Sequence, residues 1–245
     1  MSDDLDNLRC CLAQTRRELL HARKAIARLE TGVEWTSQFG EDLLAWELLG
    51  KPKTGYFIEA GAWDGYHYSA TYALEAIGWS GLLVEPIKEQ SIQCANRRQR
   101  SRVLRVCLGE KPEGTTTIFV RQDGMFSSTS PNDGAKWRGA ESVITETQTV
   151  RATNINTLLP PGQQIDLAVI DVEGAELDVL KGFDLEEHKP KIMMIEDNTR
   201  LQNPALQQYL TPRGYRFCGL LEVNQIWIRA DQAEILDRLV WIVSG

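Results

Sequence analysis

No stretch of this sequence approaches the roughly 20 consecutive apolar residues that a membrane-spanning helix needs. It has no C-x-x-C pair, and its five cysteines (Cys10, Cys11, Cys94, Cys107 and Cys218) are odd in number and irregular in spacing. With only His21, His67 and His188 to join them, neither a structural zinc nor a disulfide framework is expected. The thiols read as free groups in a reducing cytoplasm. The start, Met1-Ser2-Asp3-Asp4, lacks the basic region and apolar core of a secretory signal. Basic side chains are the minority: 27 Lys and Arg against 34 Asp and Glu leave a formal charge of −7. That argues against nucleic acid as a partner, because phosphate contacts need clustered Lys and Arg. A small anionic ligand in a local pocket stays possible. A chain 42% hydrophobic is not a disordered tail, and 245 residues can bury the core of one large α/β domain.

What is present divides the chain in two. Leu5, Leu8, Leu12, Thr15, Leu19, Ala22, Ile26 and Leu29 recur at alternating spacings of three and four. That is an a/d seam over about four heptads, and Gly32 ends it. Two arrangements satisfy it: a parallel coiled coil that makes a homo-oligomer through residues 3–30, or one amphipathic helix lying on its own domain. The expected division is a helix over residues 1–32 and a globular domain over 33–245. Within the second part, strands at 55–60, 81–86, 102–108, 165–170 and 192–196 alternate with helices at 69–77, 89–100, 175–181 and 203–210. This alternation predicts a doubly wound, mostly parallel α/β sheet. A hairpin over 215–221 and 225–229 and a helix over 231–243 close it. Extended segments at 115–121 and 143–150 bracket a Gly-, Ser- and Asp-rich loop over 123–139. A loop of that length is usually functional or mobile. It reads as an acceptor lid with Phe126 and Trp137 able to stack on a ring, or as a loop pinned by those same residues.

In an open α/β sheet ligands sit outside the carboxyl ends of the strands. The first strand runs into Glu59-Ala60-Gly61-Ala62-Trp63-Asp64-Gly65, which is not the G-x-G-x-x-G of a pyrophosphate site. An NAD-dependent enzyme is therefore disfavoured. Glu85 follows the second strand, placed to accept both hydroxyls of a ribose. Asp171, Glu173 and Glu176 follow the fourth, and Glu196-Asp197-Asn198 the fifth. A carboxylate at a strand end often only caps the next helix. Acids at four strand ends together outline a pocket for S-adenosylmethionine and a second molecule beside it.

The segments Ser37-Gln38-Phe39-Gly40-Glu41-Asp42, Phe57-Ile58-Glu59-Ala60-Gly61-Ala62-Trp63-Asp64-Gly65, the run from Leu74 to Pro86 and the run from Ile165 to Glu176 resemble the FkbM family of methyltransferases. The resemblance covers roughly residues 37–230 and implies a class I (Rossmann-like) fold, S-adenosylmethionine as cofactor, and O-methylation of a sugar or other natural-product hydroxyl. It implies that Glu59, Gly61 and Gly65 hold the methionine end, Glu85 the ribose, and the backbone around Cys107 and Leu108 the adenine. Asp171, Glu196 and Asp197, with Asn198, offer the all-oxygen set that Mg²⁺ prefers; alternatively Asp171 and Glu196 bond the cofactor amine and the acceptor without metal. Glu173 and His67 are the candidate bases. Glu173 lies near like charges, which raise a carboxyl pKa, although a helix N-terminus accounts for it equally. Other readings are methylation of a non-sugar hydroxyl or an amide nitrogen, and a coiled-coil scaffold with a catalytically dead domain.

Overall fold

The computed structural model describes residues 2–122, 127–131, 143–199 and 201–244. The lid residues Phe126 and Trp137 lie outside them. A first helix, α1 (Ser2–Thr31), precedes α2 (Glu41–Leu48), β1 (Tyr56–Ala60), α3 (Tyr72–Ile77), β2 (Ser80–Val84), α4 (Lys88–Arg97) and β3 (Arg102–Leu104). Then come β4 (Cys107–Leu108), β5 (Glu113–Arg121), β6 (Ile144–Thr153) and α5 (Ile155–Leu158). The chain continues with β7 (Leu167–Ile170), α6 (Glu176–Lys181), α7 (Leu185–His188), β8 (Ile192–Glu196), α8 (Ala205–Leu210), β9 (Tyr215–Leu221), β10 (Asn224–Arg229) and α9 (Ala233–Ser244).

Seven strands form the central sheet in the order β3-β2-β1-β7-β8-β10-β9. The first five are parallel, and β10 runs antiparallel to both its neighbours. Parallel strands covered by helices on both faces need no polar face, and β7 (Leu-Ala-Val-Ile) and β8 (Ile-Met-Met-Ile-Glu) have none before their last residue. Successive residues of β1 serve opposite layers: Ile58 packs with Leu82, Ile170 and Trp227, while Phe57 packs with Leu83, Met194 and Ile228. The chain leaves β1 toward β2 and β3, then returns to the other flank of β1 as β7. The strand order therefore reverses between β1 and β7, and a crevice opens at their carboxyl ends.

Three local departures from the expected elements have physical causes. The strand expected over 102–108 breaks after Leu104. The Arg105 side chain reaches Pro86 O and Gln148, and Cys107 and Leu108 pair with β6 instead of continuing the central sheet. The result is a second, three-stranded sheet, β4-β6-β5. The helix expected from residue 69 starts at Tyr72, because Ser69, Ala70 and Thr71 are drawn out of helical geometry by Glu59. The helix expected to reach residue 100 ends at Arg97, because the next side chain, Arg98, turns into the core.

Candidate functional site

A cavity of about 490 Å³ opens over the carboxyl ends of β1, β2, β7 and β8. Glu41, Glu59, Glu85, Asp171, Glu173 and Glu196 line it, and no lysine or arginine does so among the described residues. Gly61 forms the turn out of β1 with φ +86°, and a Cβ there would meet the Asp171 carbonyl at 1.8 Å. Only glycine lets β1 and β7 end this close together. Gly65 stands behind the loop instead, against Cys94 and Arg98, and does not line the cavity.

Glu85 is buried at the end of β2, where its two oxygens accept from the Trp63 and Ile87 N–H groups at 2.9 and 2.8 Å. A carboxylate has about four acceptor positions, so these bonds orient Glu85 and leave capacity for a ligand hydroxyl. Glu59 is more fully occupied. Ser69 Oγ, Thr71 Oγ1 and the Ala70 N–H donate to it at 2.5–2.9 Å, and Arg98 stands 3.6 Å away. It ties the loop over residues 69–71 to the strand end as well as lining the cavity. Cys107 lines the adjoining wall, and burial pushes its thiol up to about 11, so it is neutral at pH 7.

Asp171 lies on the cavity floor, open to the cavity and enclosed by protein on its other sides. One oxygen each from Asp171, Glu173 and Glu196 falls within 4.8 Å of the others. Burial raises the carboxyl pKa of Asp171 and of Glu196, and the nearby Asp171, Glu173 and Glu176 charges push Glu196 higher still. Two carboxyls this close in a low dielectric cannot both ionise readily, so the pair retains a shared proton. Glu196 Oε2 is enclosed and has no hydrogen-bond partner. Asp197 does not join the group expected from the sequence. Thr199, Leu201 and Gln225 supply four donors to it, which overcome the effect of its burial and hold its pKa low; it caps the turn after β8. Glu173, with φ +56°, takes its place beside Asp171 and Glu196.

His67 stands at the rim with its Nδ1 2.6 Å from Asp64 Oδ2. Asp64 also pairs with Arg97 and accepts from the Tyr66 and His67 N–H groups. Burial raises the pKa of Asp64, and these donors outweigh it and hold the group below the usual carboxylate range. An ionised Asp64 only accepts, so Nδ1 carries a proton and a neutral His67 has its lone pair at Nε2. Beside it the Trp63 and Tyr68 rings lie parallel within 6°, centroids 6.4 Å apart.

Burial also pushes the carboxyls of Glu41, Glu85 and Glu176 from 4.5 up to about 7. The folded chain then holds these protons more tightly than the unfolded one. Their stabilisation is complete below about pH 4.5 and is lost as pH rises through 7. Asp64 and Asp197, with lowered values, are ionised in both states over that window and do not oppose the trend. The urea midpoint of the ligand-free protein should fall between pH 5 and pH 8, and Glu85→Gln should reduce that fall; an unchanged slope would remove Glu85 from this account.

Arg98, Asp64 and Trp63 were not legible as members of the site. Nothing in the run Arg97-Arg98-Gln99-Arg100 singles out Arg98 as the arginine that turns inward. Residues 59–217, about two thirds of the chain, match the profile of the Methyltransferase FkbM domain. The chain belongs to the FkbM methyltransferase family. The match begins at Glu59 and so takes in the Gly61 turn, Glu85 and the acids after β7 and β8. No curated protein matches the chain significantly in sequence. No helix among the described residues is long and apolar enough to cross a membrane.

Proposed function

We propose that this FkbM-family chain is an S-adenosylmethionine-dependent O-methyltransferase acting on a hydroxyl of a sugar, glycan or related natural product. The observation that carries the reading is the cavity's acidity: six acidic side chains, among them the Asp171–Glu196 pair that shares one proton, and no lysine or arginine among the described lining residues. Such a wall suits a ligand bearing a sulfonium and an ammonium, and repels a diphosphate. When bound, the cofactor supplies a methyl group already activated for in-line displacement. Glu85 accepts the ribose hydroxyls, and the Gly61 turn, Asp171 and Glu59 receive the methionine end. The backbone at Cys107 and Leu108 faces the adenine. The acceptor enters past Trp63 and Tyr68, whose rings offer apolar faces to a sugar, and His67 Nε2 takes the hydroxyl proton. Free thiols at Cys94 and Cys107 suit a reducing cytoplasm.

Transfer of labelled methyl from S-adenosylmethionine to a panel of sugar nucleotides, glycans and peptides tests this. Label in an alkali-stable sugar ether is expected. Label in an amide, or none in any acceptor, would contradict it.

A divalent cation at Asp171, Glu173 and Glu196 is a second element, favoured by the unpartnered Glu196 Oε2 within an all-oxygen cluster. Such an ion lowers the pKa of an oxygen bound to it. Dialysis against EDTA should then lower the transfer rate, with Mg²⁺ restoring it. A rate unchanged by EDTA would leave the cluster as acceptor and cofactor ligands without metal.

A further inference from the structure

We propose that α1 pairs with α1 of a second copy of this chain as a parallel two-stranded coiled coil. The helix runs 30 residues, about 45 Å at 1.5 Å per residue. Its last three turns dock on the domain of the same chain. Leu20 covers Gly40, where a Cβ would meet its Cδ1 at 2.6 Å, and Ala27 is buried. Arg23 pairs with Glu47, Lys24 donates to Ser37 O, and Lys51 bonds Glu30.

The register of those contacts carries the argument. With Leu5, Leu12, Leu19 and Ile26 at a, and Leu8, Thr15, Ala22 and Leu29 at d, Leu20 and Ala27 are b positions and Lys24 is f. The domain thus takes the back of the helix. Arg23 and Glu30 at e mark the edge of that contact. The a/d seam faces away: Leu12, Leu19, Ile26 and Leu29 are 52%, 58%, 57% and 87% exposed. A helix resting on its own domain would turn its apolar stripe inward. This one rests on its domain and keeps a second, narrower stripe for something else.

Periodicity and charge choose the occupant. The stripe is two positions per heptad, the width of a coiled-coil seam and narrower than a membrane-surface face. In parallel pairing each g position meets e′ five residues on, which sets Glu18 near Arg23 of the second copy, the arginine that also pairs with Glu47 of its own chain. An antiparallel pairing would instead bring together e edges on which Arg16 and Arg23 repel, with only Glu30 to offset them. Because the domains dock on the backs of their helices, a two-fold axis along the seam puts them on opposite sides.

Sedimentation of the full chain should give about twice the 27.7 kDa monomer mass, and Leu19→Asp should give monomers that still bind S-adenosylhomocysteine. With Cys10 and Cys11 changed to serine, Leu19→Cys should oxidise to a covalent dimer, since parallel helices set this a residue beside its copy. A monomer at every concentration, or a dimer untouched by Leu19→Asp, would overturn the pairing. A dimer that does not cross-link would overturn its parallel sense. A monomer that sediments with anionic vesicles through Leu19 would make the stripe a lipid contact instead.

Discussion

Arg98→Ala should lower the stability of the domain by about 3–5 kcal/mol, the range for removing one partner of a buried ion pair. Arg98 is buried and holds Glu75 through Nε at 3.0 Å. Its remaining nitrogens bond Ser69 Oγ, Thr71 Oγ1, and the Gly65 and Thr71 carbonyls at 2.9–3.3 Å. Without it, Glu59 and Glu75 remain buried with no cation, and the loop from Gly65 to Thr71 loses its anchor. Urea unfolding of the parent and the variant measures the loss. A loss below about 1 kcal/mol would show that solvent reaches the two glutamates and that Arg98 is not their counter-charge. Adding Glu75→Gln to Arg98→Met should recover part of the loss, since one of the two stranded charges is then gone.

His67→Ala should lower the rate of methyl transfer by about 10²–10⁴-fold, the usual contribution of a positioned general base, with binding of S-adenosylhomocysteine unchanged. The reason is local. Asp64 fixes the imidazole by Nδ1, and the remaining nitrogen belongs to a rim residue of the cavity. Asp64→Asn should lower kcat as well, because an amide can donate to Nδ1 and favour the opposite tautomer, as in other histidine–carboxylate pairs. Chemical rescue separates this from a structural role: imidazole added to His67→Ala should restore part of the transfer rate while the affinity for S-adenosylhomocysteine stays unchanged. A His67→Ala rate within threefold of the parent would pass the proton-accepting role to Glu173 in the carboxylate cluster.

The parallel sheet was legible because its strands carry apolar runs bounded by Gly and Pro, and the strand-end acids follow from it. Glu59, Glu85, Asp171, Glu173 and Glu196 could therefore be placed together before any coordinates. Less legible was which oxygens are free. Glu59 takes three donors from the loop over residues 69–71, and Asp197 takes four from Thr199, Leu201 and Gln225; composition says nothing of either. Gly65 failed to reach the cavity because a glycine can serve a close approach on either side of a loop. The break after Leu104 was invisible because its cause, Gln148, lies 43 residues away from Arg105. The seam of α1 was visible, but only the docking of its opposite face shows that the seam is unused within one chain.

Calorimetric titration of S-adenosylhomocysteine into the full chain, with NAD as control and Glu85→Ala as the variant, tests the central claim most directly. The acid-lined cavity should bind S-adenosylhomocysteine one to one and NAD not at all, with affinity lowered at least tenfold in Glu85→Ala. Absence of heat from S-adenosylhomocysteine, or equal binding by the variant, would contradict it.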